Sequence, residues 1–136
     1  MWHVRAVRSL AIAWLVGTLG LGLGLAVPAC KGGPPSPAEI ADRAWRAHEL
    51  VVAAGERSAT CAEAGAAMQH VFAEHRQAFV DGLALDRDRK KLEQATDYLA
   101  ANEDRYKDLE TRMAGLSDRC AAEPTVVAVF HMMESP

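Results

Sequence analysis

Reactive side chains are few in this chain, and their spacing narrows the chemistry open to them. The three cysteines, Cys30, Cys61 and Cys120, can form disulfides, thioethers or metal thiolates. Because three is odd, an exported chain that pairs two of them leaves one thiol for other chemistry. Beyond the first 29 residues the histidines are His48, His70, His75 and His131. His70 shares its helical face with Glu63, Glu74 and Gln77 and belongs in solvent. His48 stands at the spacing of Trp45 and Val52, and His75 at that of Phe72 and Phe79, so both fall on apolar stripes. A buried neutral imidazole can ligate a transition metal, and His with Met can ligate haem. His48, His75 and His131, with Met68, Met113 and Met132, are therefore the candidate ligands for a metal or haem. The commoner fate of such a histidine is a satisfied place in a core. No C-x-x-C-H, Glu-x-x-His pair, H-E-x-x-H, G-x-S-x-G or Gly-rich phosphate loop occurs, so no catalytic residue is nominated.

These side chains need elements to hold them. Ser36-Pro37-Ala38-Glu39 joins a Ser cap, a Pro at the first helical position and a Glu that closes a capping box, so a first helix starts there. Its apolar positions, Ile40, Ala41, Ala44, Trp45, Val51 and Val52, share one face, with Glu39, Asp42, Arg43, Arg46 and Glu49 opposite. Gly55 is its expected stop. Thr60-Cys61-Ala62-Glu63 is a second capping box, followed at helical spacing by Ala64, Met68, Val71, Phe72, Ala78 and Phe79. Gly82 and the charged run from Asp86 mark the exit of this second helix.

From there Leu92, Leu99, Tyr106, Met113 and Cys120 recur every seven residues, interleaved with Ala95, Asn102, Leu109 and Leu116. That spacing predicts one long helix of four heptads without a skip. After Glu123-Pro124, Val126, Val127, Phe130 and Met133 predict a short last helix; their β-branched run reads equally as a strand, but no second strand pattern exists to pair with it. The expected fold is all-α: a small antiparallel bundle over residues 38–136, with three long helices, a short C-terminal one and a Cys61–Cys120 disulfide. A third helix starting at Asp86 would outrun the second by about 15 Å. Either the turn lies nearer Lys90 or the third helix bends near Asn102. Acidic groups are expected as i, i+4 partners of basic ones, such as Asp86 with Lys90 and Glu103 with Lys107.

The first nine residues carry Arg5 and Arg8 and no acid, and Leu10 to Val27 then run without a charge, a secretory signal pattern over residues 1–29. Without that segment 13 basic residues face 18 acidic ones, a net charge of −5, which argues against a nucleic-acid partner. Val27-Pro28-Ala29-Cys30 resembles the lipobox of bacterial lipoproteins, in which an aliphatic residue and two more, ending in a small one, precede a cysteine. The resemblance implies cleavage before Cys30, a diacylglyceryl thioether on its sulfur and an acylated amine, which together make a stable membrane anchor. Ordinary cleavage after Ala29 and an uncleaved leader are the alternatives. With Cys30 consumed, Cys61 and Cys120 remain as an even pair. Residues 31–37, KGGPPSP, then form a flexible tether stiffened by its prolines. In the sorting rule of enteric lipoproteins, Lys31 in place of an aspartate favours the outer membrane over the cell membrane.

In outline the helical part also resembles the small exported four-helix b-type cytochromes. Those take a haem ligand from a Met near the start of the first helix and another from a His in the last; here the first helix holds no Met. The expectation is a non-catalytic, lipid-anchored cell-envelope protein whose bundle binds an envelope protein or serves a structural role. A periplasmic metal or haem carrier using His48, His75 or His131 is the alternative.

Overall fold

The computed structural model describes residues 33–136; the leader, the lipobox-like residues and Cys30 lie outside the described residues. The described chain is all-α: α1 (Pro37–Glu56), α2 (Cys61–Arg87), α3 (Arg89–Ala101), α4 (Glu103–Arg119) and α5 (Pro124–Glu134).

Both capping boxes form as the sequence requires. Ser36 Oγ accepts from the Glu39 amide at 3.3 Å while the Glu39 carboxylate accepts from the Ser36 amide at 2.7 Å. At α2 the Thr60–Glu63 pair does the same, at 3.2 and 3.0 Å. Each box satisfies two amides that have no partner inside the helix. Thr60→Ala removes one acceptor, and a loss of about 1 kcal/mol is expected, read as a lower urea midpoint at unchanged slope.

α1 and α2 pack as an antiparallel hairpin at the centre of the domain. Gly55 lies against Met68, the His48 ring against Phe79, and Ala44 against Gly82, so residue numbers fall along α2 as they rise along α1. Gly55 does not stop the first helix, which runs on to Glu56. A Cβ at this position would lie 2.6 Å from Leu116 Cδ2 and 2.7 Å from Met68 Sδ. The residue is small because three helices converge there. On the other side of α2, Gly65 lets α5 seat, since a Cβ would run into the Thr125 side chain and the Val126 amide. The Val126–Met133 segment is helical rather than a strand, started by Pro124 and by Glu123, whose carboxylate accepts from the Thr125 amide at 3.3 Å.

The core joins Val51 and Val52 of α1, Met68, Phe72 and Phe79 of α2, Leu109 and Leu116 of α4, and Val126, Val129 and Met133 of α5. A smaller cluster of Ala41, Leu85 and Ala95, with Ile40, Tyr98 and Leu99 beside it, closes the end where α1 begins and α2 turns into α3.

The long third helix is divided. The chain turns at Asp88, whose carboxylate caps α3 by accepting from the Lys91 amide at 3.2 Å, and breaks again at Asn102. Asn102 leaves helical geometry at φ −115°, ψ 19°, and its side-chain amide donates to the Tyr98 carbonyl at 2.8 Å, occupying a group near the helix end. The four uninterrupted heptads are thus two helices meeting at one residue. The best-buried seam is the interleaved set, Ala95, Leu109 and Leu116, while Leu92, Leu99, Tyr106 and Met113 are half-buried. Both remedies for the length mismatch, a turn near Lys90 and a break at Asn102, occur together. They bring Cys61, the first residue of α2, to Cys120, just past α4, and the disulfide forms with the Cα atoms 5.4 Å apart. The turn also separates Asp86 on α2 from Lys90 on α3, so that expected i, i+4 pair is not made within one helix, whereas Glu103–Lys107 is, at 2.7 Å.

Candidate functional site

The densest polar cluster lies where α1 meets α3 and α4, and it is built on a seven-residue rhythm in two distant segments. Asp42, Glu49 and Glu56 step along α1, and Tyr98, Arg105 and Arg112 step along α3 and α4. The rungs join residues 56 apart, which sets α4 parallel to α1. The Tyr98 hydroxyl donates to Asp42 at 2.7 Å. Arg105 donates to both oxygens of Glu49, at 2.6 and 2.7 Å, and with a third nitrogen-borne hydrogen to Asp42 at 3.0 Å. Arg112 grips Glu56 at 3.0 and 2.6 Å. One heptad further, Arg119 donates to the Gly55 carbonyl at 3.1 Å near the end of α1. Trp45 lies under this ladder, its ring 5.8 Å from that of Tyr98 and 5.2 Å from that of Tyr106, with the Arg105 guanidinium 5.9 Å from its centroid.

The electrostatics follow from the pairing. The Tyr98 hydroxyl and then Arg105 hold Asp42 below the usual carboxylate range, Arg105 does the same to Glu49, and Arg112 to Glu56. Burial raises the Tyr98 hydroxyl, assisted by Asp42, and pushes Tyr106 up to about 12, with Glu110 and Asp86 adding to it. Near neutral pH these groups hold fixed charge or stay protonated. A proton carrier needs a pKa near the working pH, and the shifts run the other way. The cluster therefore fastens α4 to α1. Two open depressions flank it, one of about 580 Å³ against Pro35, Ala38, Arg43 and Tyr98, the other of about 450 Å³ against Arg46, Leu50, Ala53 and Arg112.

The candidate ligands lie on four helices, α1, α2, α4 and α5. His48 is half-buried on α1; its Nδ1 lies 2.8 Å from the Ala44 carbonyl and its ring centroid 4.5 Å from that of Phe79. A carbonyl can only accept, so Nδ1 carries a proton, and burial lowers the ring's pKa. His75 is half-buried on α2, His131 is exposed on α5, and His70 is exposed, 3.4 Å from Glu74. Met68 is wholly buried, and Met113 and Met132 pack at the core's rim. Among the described residues no group of three or more His, Cys, Asp or Glu side chains converges to hold a metal. Of the cysteines, Cys61 and Cys120 are joined.

The sequence pattern puts Asp42 and Glu49 on the outward face of the first helix and does not show the ladder. Two signals mark it in retrospect: acids at 42, 49 and 56, and arginines at 105, 112 and 119, both at heptad spacing. No helix among the described residues is long and apolar enough to cross a membrane. No family model, curated protein or solved structure matches the chain.

Proposed function

We propose that the chain is a lipid-anchored protein of the bacterial cell envelope whose disulfide-closed helical domain serves a binding or structural role. The observation that carries this is the fate of the cysteines. Cys61 and Cys120 are paired, which suits an oxidising compartment, and Cys30 is the odd one, placed directly after Val27-Pro28-Ala29 and a charge-free run. The domain's polar cluster supports a non-catalytic role, since its carboxylates are locked to arginines and its tyrosines kept protonated. An anchored domain meets partners in the membrane plane at raised effective concentration, so a modest helix-face affinity is enough. Lys31 favours the outer membrane as its location.

The test is Cys30→Ser with fractionation of the producing cells and an intact mass of the protein. The unaltered chain is expected in the membrane fraction with a diacylglyceryl mass on its N-terminal peptide, and the variant in the soluble fraction. Unchanged retention of the variant would overturn the proposal.

A further inference from the structure

The lipid anchor proposed above would also fix which end of the bundle faces the membrane. Six residues, 31–36, separate Cys30 from Pro37, so even fully extended the link reaches about 25 Å. The 27-residue α2 is longer, about 40 Å at 1.5 Å per residue. With that anchor, the start of α1 would stay within this reach of the bilayer, and the domain could not stand on its opposite end. The α2–α3 turn lies at the same end as the start of α1, because Leu85 and Ala95 on either side of it pack with Ala41, and Tyr98 bonds Asp42.

The turn is basic in an acidic protein. Residues 86–91 read Asp-Arg-Asp-Arg-Lys-Lys, and Arg87, Arg89, Lys90 and Lys91 are all exposed. The acids nearby are engaged: Asp88 caps α3 and holds Lys91 at 3.3 Å, Glu93 holds Arg89 at 3.1 Å, and Glu39 closes the α1 capping box. Asp86 lies close enough to Tyr106 to raise that hydroxyl's pKa. Arg87 and Lys90 make no ion pair among the described residues.

We propose that this tip, led by Arg87 and Lys90, contacts the anionic phospholipid headgroups of the membrane that holds Cys30. Each basic side chain near an anionic bilayer adds a favourable interaction that fades within a Debye length, and the short link keeps the tip within reach of the surface. The contact would orient the domain, with the tip down and the opposite end, where the disulfide joins α2 to α4, held outward.

The full chain, purified from membranes in detergent and reconstituted into vesicles, reads this directly. A water-soluble amine-reactive ester is applied, and labelling of Lys90 is compared with that of Lys107 on α4 in the same molecules. In phosphatidylcholine vesicles with a third phosphatidylglycerol, Lys90 is expected to label roughly fivefold more slowly than in phosphatidylcholine alone. Lys107 should be unchanged, and high salt should remove the difference. Equal Lys90 rates in the two vesicles would overturn the proposal. So would protection found in native membranes and absent from the anionic vesicles, which would assign the tip to an acidic protein. The exposed double variant Arg87→Gln/Lys90→Gln supplies a second reading, with Lys91 as the reporter; its protection is expected to fall, and full protection would also overturn the tip's role. The mass of the N-terminal peptide, taken on the same sample, keeps the two proposals apart. A chain without lipid removes the anchor, and co-sedimentation of that chain with anionic vesicles, weakened or not by the double variant, still decides the tip.

Discussion

Reduction of the Cys61–Cys120 bridge is expected to lower the stability of the domain by about 4 kcal/mol, from the entropy of closing a loop of this length in the unfolded chain. The bridge spans a sequence separation of 59, and it ties the N-terminus of α2 to the C-terminus of α4. A small single domain is stable by only about 5–15 kcal/mol, so the loss is a large share of the whole. Urea unfolding with and without a phosphine reductant measures it: the midpoint should fall markedly, and intact mass should show a gain of about two daltons for the opened bond. Cys120 is wholly buried, so the reduced protein is the cleaner comparison; a serine there would also place a hydroxyl in the core. A reduced domain with an unchanged midpoint would mean that packing alone holds α4 in place.

The next largest effect is expected at Arg105. Its guanidinium serves Glu49 and Asp42 at once, and Arg105→Ala leaves the half-buried Glu49 without its hydrogen-bonding partner, while Asp42 keeps the Tyr98 hydroxyl and Arg46. Side chains here are 24 to 31% exposed, which places the loss below the 3–5 kcal/mol of a fully buried pair, at about 2 kcal/mol. The pH dependence separates this from lost packing. Glu49 and Asp42 have depressed pKa values in the folded state, so their contribution is fully present above the unfolded values near 4 and is lost as pH falls through the folded ones. The difference between the native chain and Arg105→Ala should therefore be largest at neutral pH and shrink toward about pH 2. Urea titrations at the two pH values check it; a difference independent of pH would assign the effect to the contact of Arg105 with Trp45.

Local signals in the sequence carried much of the fold. Ser36-x-x-Glu39 and Thr60-x-x-Glu63 place two helix starts to the residue, because a capping box is a contact between positions three apart. The cysteine pairing was legible too, since a secretory signal pattern and an odd cysteine count leave few choices. What failed was long-range. A heptad count from Leu92 to Cys120 registers a continuous apolar seam, and nothing in it shows that Asn102 will turn its amide onto the Tyr98 carbonyl and break the helix. Asp42, Glu49 and Glu56 look like an ordinary solvated face until α4 is known to lie parallel to α1. His48 falls on an apolar stripe in the sequence, yet its neighbours, Ala44 and Phe79, come partly from another helix.

The parallel register of α1 and α4 also favours an order of events. The α1–α2 hairpin can begin to close between Gly55 and Met68, a short stretch of chain, whereas the rungs at Asp42–Tyr98, Glu49–Arg105 and Glu56–Arg112 each wait for 56 residues to be threaded back. Loop-closure entropy and topology make such contacts late ones. As the chain folds, the hairpin can form while the acids of α1 are still facing water. On this order the last helices would meet a surface already assembled, and the Cys61–Cys120 bond then ties α4 to the start of α2.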